Sequence, residues 1–167
     1  NLTSITIPDS VTSIREAAFS QCYKLMSITI AGGVTSIGND AFKDCTSLTS
    51  ITIPDGVTSI GDDAFAGCRS LTSIRIGDGI TSIGAGVFFK CTSLTNLTIP
   101  DGVTSIEKEA FSGCHSLTSI TIPDSVTNIG NLVFNDCTRL TAVTFLGDAP
   151  KAADRVFEES SPSVYRK

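Results

Sequence analysis

No stretch of this 167-residue chain holds a run of apolar residues long enough for a membrane helix, which needs about 18 to 20 of them. Residues 1–20 show neither a basic n-region nor an apolar h-region, so no signal peptide is read there. Positive charge is scarce. Twelve Lys and Arg stand against seventeen Asp and Glu, a net charge of −5, and the pI is near 4.7. A nucleic-acid partner, which needs a basic face for its phosphates, is therefore not expected. Histidine occurs once, at His115. A zinc site or an H-E-x-x-H helix needs more ligands than that, and no C-x-x-C and no P-loop is present. Gly84-Ala85-Gly86 lacks the rest of a dinucleotide fingerprint. No catalytic, cofactor-binding or metal residue is assigned, and the chain is not read as an enzyme.

What the chain does have is a repeat. Leu48–Ser70, LTSITIPDGVTSIGDDAFAGCRS, returns every 23 residues. Leucine holds its first position from Leu2 through Leu25, Leu48 and onward to Leu140. Phenylalanine keeps the same step from Phe19 to Phe157, and cysteine from Cys22 to Cys137. A strict period of this length means stacked coils, each too small to fold alone because its ordering entropy exceeds its own burial.

Within one coil, Ile51 and Ile53 are two apart, the spacing of a strand that buries one face. Pro54-Asp55-Gly56 reads as a turn, with Asp55 holding its own backbone and Gly56 tolerating positive φ. Val57 to Ile60 re-enters the core as a second short extended piece. Asp62 to Phe65 is long enough only for a turn of helix or 3₁₀. The strands are expected to be parallel, centred on Ile5–Ile7, Ile28–Ile30, Ile51–Ile53, Ile74–Ile76, Leu97–Ile99, Ile120–Ile122 and Val143–Phe145. Six cysteines suggest three disulfides, but stacked side chains sit about 4.8 Å apart while a disulfide wants Cβ atoms about 3.8 Å apart. All six are expected to be buried, reduced and packed as small apolar groups.

The pattern L-x-x-I-x-I-P-x-x-V-T-x-I-x-x-x-A-F-x-x-C resembles the BspA-like, or Treponema pallidum type, leucine-rich repeat, over positions 2 to about 157. The resemblance implies a leucine-rich-repeat solenoid, a right-handed β/α superhelix with a parallel sheet on its concave side and short extended or 3₁₀ segments elsewhere. It also implies a non-enzymatic protein-binding or adhesion module at a cell surface or outside the cell, with a protein ligand of host or matrix origin. The alternative is a structural spacer with no ligand of its own.

Residues 1–146 are read as six and a half coils, continued upstream by further repeats, and 147–167 as a C-terminal half-coil and cap. The cap places Ser160 on the cysteine column and Ser163 on the leucine column. Val164-Tyr165 forms a short last strand, and Glu158, Glu159, Arg166 and Lys167 lie on an exposed edge. The first strand presents an open edge, so either self-association through residues 1–20 or truncation from a longer array is expected.

The outward rows of the strands are Ser and Thr, broken by Arg75 and Asn96. Arginine anchors protein contacts through its planar fork, so Arg75, with Asn96 beside it, is the candidate partner site. The aspartate row Asp9, Asp55, Asp78, Asp101 and Asp124 is read as turn-holding rather than as a calcium site. The Asn1-Leu2-Thr3 and Asn96-Leu97-Thr98 sequons are read as chance products of the repeat, and His115 as an exposed turn residue.

Overall fold

Alternation of inward isoleucine with outward serine and threonine makes a strand at the start of every coil. The computed structural model describes residues 1–148 and 150–166. The first coil carries β1 (Ser4–Ile7) and β2 (Ser13–Ile14), the second β3 (Ser27–Ile30) and β4 (Ser36–Ile37), the third β5 (Ser50–Thr52) and β6 (Ser59–Ile60). Then follow β7 (Ser73–Arg75) and β8 (Ser82–Ile83), β9 (Asn96–Leu97) and β10 (Ser105–Ile106), and β11 (Ser119–Ile122) and β12 (Asn128–Ile129). The chain closes with β13 (Ala142–Phe145), β14 (Lys151–Ala152) and β15 (Ser163–Arg166).

All pairs are parallel, and most join residues one period apart, as in Ser4 opposite Ser27 and Ile51 opposite Ile74. The odd-numbered strands form one long face, hydrogen-bonded as β1-β3, β5-β7-β9 and β11-β13-β15. The even-numbered strands form a second, narrower face as β2-β4-β6 and β14-β12-β10-β8. The architecture is that of a leucine-rich-repeat solenoid. The last coil is short by two residues, because Ala142 pairs with Ser163 and Val143 with Val164. Ser163 thus joins the outward serine row instead of the leucine column. Ala149 and Lys167 lie outside the described residues.

The third side of each coil holds a surprise. Among the described residues there is neither α-helix nor 3₁₀ helix, so the expected α or 3₁₀ segments of a β/α superhelix are not formed. The segment is instead a run of hydrogen-bonded turns. Asp40 and Asp44 have positive φ (54° and 57°), and the same two positions are positive in Ala17 and Gln21, Asp63 and Gly67, Gly86 and Lys90, and on through the array. Their N–H groups point to the next coil, where Asp40 donates to Asp62 and Asp44 to Ala66. A residue bonded across coils is not available to an i→i−4 helix, so no helix propagates. The left-handed conformations cost about 1–2 kcal/mol each, and the cross-coil bonds hold them in place.

The core is built of columns. Seven phenylalanine rings stack with centroids 5.2–5.9 Å apart and planes 5–16° from parallel. The five inner rings, Phe42 to Phe134, are fully buried, and Phe19 and Phe157 at the ends only partly. Leu25 through Leu140 and the inward isoleucines fill the rest.

All six cysteines are free thiols. Five are buried, and Cys22, in the first coil, is half-buried. They are also more than apolar filler. Each inner thiol donates to the phenylalanine carbonyl of the coil before, as Cys68 to Phe42 and Cys91 to Phe65, both at 3.2 Å. Ser160 takes over this bond in the last coil, donating to the Phe134 carbonyl at 2.7 Å.

The turns differ from expectation too. The Pro54 carbonyl accepts the Val57 N–H at 3.1 Å, and Pro8, Pro100 and Pro123 close the equivalent turns. Gly56 is not among the positive-φ glycines. Glycine suits this position because the coil before crowds it. A Cβ on Gly56 would meet the Gly32 carbonyl at 3.2 Å, and one on Gly33 would run into the Asp9 carbonyl.

Candidate binding face

The long face of odd-numbered strands presents Ser4, Thr6 and their counterparts outward, with every Ile partner turned inward. β-branched and small hydroxyl residues suit such a surface because they pack across strands without needing burial. The other threonine rows are already engaged. Thr72 Oγ1 donates to the Thr49 carbonyl and Thr95 Oγ1 to the Thr72 carbonyl, each at 3.1 Å, so these hydroxyls tie coil to coil.

Arg75 ends β7, opposite Thr52. Asn96 starts β9, opposite Ser73, which stands two residues before Arg75. The two residues therefore lie in neighbouring rows of adjacent strands. Their surroundings differ. The Arg75 guanidinium is bonded to Asp55 of the preceding coil, Nη2 to Oδ1 at 2.9 Å, on an exposed surface. The hydrogen bond from Arg75, with a second from the Asp78 N–H, holds the Asp55 carboxyl below the usual carboxylate range. Asp55 thus reaches across to the next coil, and its recorded bonds are not to its own turn. A spacing of 20 residues, one coil less three, is the signal that pairs it with Arg75.

Asn96 borders a different feature. β9 is only two residues long and pairs with β7 but not with β11. Leu97 replaces the β-branched residue found in most other coils and is only partly buried. The gap opens a groove of about 330 Å³, lined by Asn96, Leu97, Thr98, Asp101, Thr121 and Leu146 among others. Arg75 lies outside it. The residues beyond Asn96 escaped the sequence reading, because each sits on pattern and only the shortened strand exposes them.

Elsewhere the surface carries isolated pairs. His115 Nε2 lies 2.9 Å from Asp136 Oδ2 on the turn side, both half-exposed. Lys43 bridges Asp40 at 2.8 Å and Asp63 at 3.2 Å, and the hydrogen bond it donates to the Asp40 carboxylate, more than any other contact, raises its pKa. Tyr23 and Met26 are exposed. Met26 stands where later coils have the hydroxyl of Thr49 or Thr72. Among the described residues no cluster of histidine, cysteine or carboxylate is grouped to hold a metal ion, and no helix is long and apolar enough to cross a membrane.

The geometry has counterparts among known proteins. A leucine-rich repeat protein of T. pallidum superimposes with a TM-score of 0.82 at 28% identity, over 99% of this chain and 73% of that one. A leucine-rich repeat protein of Bacteroides ovatus is 33% identical over 89% of this chain and 44% of its own, with a TM-score of 0.64. A leucine rich cell surface protein of Faecalibacterium prausnitzii is 26% identical over 99% of this chain and 60% of its own, at 0.52. No curated protein matches. The BspA type leucine rich repeat region matches in six copies across residues 1–91 and 58–164. With the 23-residue period, the stacked columns and this match across almost the whole length, the chain belongs to the BspA type leucine-rich-repeat family.

Proposed function

We propose that this chain is a non-enzymatic protein-binding module that works in adhesion at a cell surface or outside the cell. The observation that carries the reading is the long face itself, an outward-facing strand surface whose ladder stops between β3 and β5 and again between β9 and β11, where the groove beside Asn96 lies. The family supports a repeat scaffold for protein interaction, with no catalytic family matched. A surface location is supported by the F. prausnitzii protein, described as a leucine rich cell surface protein. The partner is a protein ligand of host or matrix origin, met by Arg75 and Asn96.

A spacer role is favoured by one specific observation. Arg75, the arginine that breaks the outward threonine row, is already paired with Asp55. An anchor must break that pair or present it whole. The test is binding of the purified chain to immobilised fibronectin, fibrinogen, laminin and collagen, with Arg75→Thr and Asn96→Ser alongside. Saturable binding that falls about tenfold in either variant supports the module. Binding to none of them, or binding untouched by both changes, hands the chain to the spacer reading.

A further inference from the structure

Beside its strands, the long face is tied by a row of backbone bonds from coil to coil. Met26, Thr49, Thr72 and Thr95 donate their N–H groups to the carbonyls of Thr3, Met26, Thr49 and Thr72. The row resumes with Thr141 on Thr118, but among the described residues no bond joins Thr118 to Thr95. The hydroxyls repeat the pattern. Thr72, Thr95 and Thr141 bond to the coil before through Oγ1, and Thr118 does not. The other break in the face, between β3 and β5, keeps both bonds at Thr49. The seam between β9 and β11 has therefore lost bonds that the other break retains, and the groove lies along it.

The floor of this groove is aliphatic. Leu97, Ile120, Pro123 and Leu146 form it, with Leu97 half-buried and Leu146 42% exposed. The rim is polar. Asn96, Thr98 and Thr121 are exposed there, unlike the Thr72 and Thr95 hydroxyls, which are tied to the coil before. An apolar floor inside a polar rim is where protein contacts desolvate one large anchoring side chain. Ligand clefts span about 300–1,000 Å³, so a groove of about 330 Å³ suits a single such anchor.

Charge sets what accompanies the anchor. Asp101 stands on the rim, and Asp78 and Asp124 hold the same position in the coils before and after. Arg75 is turned to Asp55 of the preceding coil, and among the described residues neither Asp78 nor Asp101 is in an ion pair. The groove is thus bordered by unneutralised carboxylates, which attract a cation and repel an acid.

We propose that the groove takes a leucine- or phenylalanine-sized side chain of a protein partner, with a neighbouring lysine or arginine set against Asp101. This rests on the protein-binding reading above and adds the sign of the partner's charge. An anchor at Arg75 would instead call for an acidic group on the partner.

The test is a heteronuclear NMR titration of the purified chain with three capped peptides: acetyl-Arg-Leu-Arg-amide, acetyl-Arg-Gly-Arg-amide and acetyl-Glu-Leu-Glu-amide. The first should shift the amide signals of Leu97, Thr98 and Thr121 saturably, and the other two should bind at least about fivefold more weakly. Asp101→Asn should weaken the first peptide about fivefold, and Thr121→Arg, which sets a cation over the groove, should abolish its binding. Both positions are exposed, so both variants should keep the wild-type fold. No saturable shift at the groove, equal binding of the glycine peptide, or tighter binding of the glutamate peptide would overturn the proposal. The matrix-protein assay separates this failure from that of the wider reading. A matrix protein whose binding survives both Asp101→Asn and Thr121→Arg overturns the groove and leaves the binding module standing. Saturable binding of the Arg-Leu-Arg peptide with no matrix protein bound supports the groove and withdraws only adhesion to matrix.

Discussion

The Cys91 thiol donates a hydrogen bond to the carbonyl of Phe65 in the preceding coil, 3.2 Å away and buried. That carbonyl also accepts the Cys68 N–H, so the thiol fills its second acceptor position. The column therefore needs a small side chain with a donor. Ser160 satisfies the same need with a hydroxyl, and its oxygen also accepts the Cys137 N–H at 2.8 Å.

This gives an order of stabilities for one site. Cys91→Ser keeps a donor and should lie within about 1 kcal/mol of wild type in urea unfolding. Cys91→Ala removes the donor and leaves a small void, and should cost about 1–2 kcal/mol. If alanine matches or beats serine, the thiol acts only by filling space.

Thiol accessibility separates the first coil from the rest. Cys22 is half-buried, while Cys45 to Cys137 are buried. Ellman's reagent should titrate one thiol in the native protein and five more after unfolding. Reaction of several thiols natively would mean that the coils open on the timescale of the assay.

The same burial makes stability fall at high pH. It pushes Cys45 and Cys137 up to about 12 and raises Cys68, Cys91 and Cys114 as well. Below the ordinary thiol pKa of about 8.5, both folded and unfolded chains keep these thiols protonated, and the contribution is fully present. Above it the unfolded chain ionises first. Stability is then lost as pH rises toward about 12, by up to roughly 1.4 kcal/mol per pH unit for each thiol. Unfolding curves between pH 7 and 10.5 should be flat at first and then steepen. Cys45→Ser should make the alkaline limb shallower by about one thiol's share, and an unchanged slope would rule the thiols out as its cause.

The legible part of this molecule is what repeats as side chains. The leucine, phenylalanine and isoleucine columns announce the period, the parallel strands and the core, because burial of identical residues in register leaves a mark at every step. The turn-side ladder leaves no such mark. Its left-handed positions hold Ala17, Gln21, Lys90 and Leu132 as readily as glycine, since cross-coil bonds rather than side-chain preference set the backbone there. The candidate site was legible only in part. Arg75 and Asn96 stand out as breaks in a row, but the Asp55 pairing and the groove beside β9 depend on coil-to-coil geometry that a single repeat does not encode.

The Arg75–Asp55 pair can be read by carboxyl titration. The Asp55 pKa is lowered chiefly by the hydrogen bond from Arg75. A lowered folded pKa gives stability that is present above the unfolded value and lost as pH falls through the folded one. In Arg75→Thr, nuclear magnetic resonance should show the Asp55 titration moving up toward the ordinary carboxylate range, with the melting temperature unchanged at neutral pH. An unmoved titration would place Arg75 free of Asp55 in solution and available as a binding anchor.

The aromatic column sets where the array is weakest. Phe88 sits between Phe65 and Phe111, with centroids 5.9 and 5.5 Å away, and is fully buried. Phe88→Ala opens a void that neighbours on both sides cannot fill, since the coil spacing is fixed by strand hydrogen bonds, and should cost about 3–5 kcal/mol. Phe157 stacks on one side only, against Phe134 at 5.6 Å, and keeps part of its ring in solvent. Phe157→Ala should cost well under half as much, with unfolding confined to the last coil rather than shared by the array. Hydrogen exchange locates each effect. Faster exchange in Phe88→Ala should spread over the coils on either side of the substitution, while in Phe157→Ala it should stay in β14 and β15. Equal costs at the two sites would mean that the last coil is as tightly held as the middle, against the half-buried ring seen there.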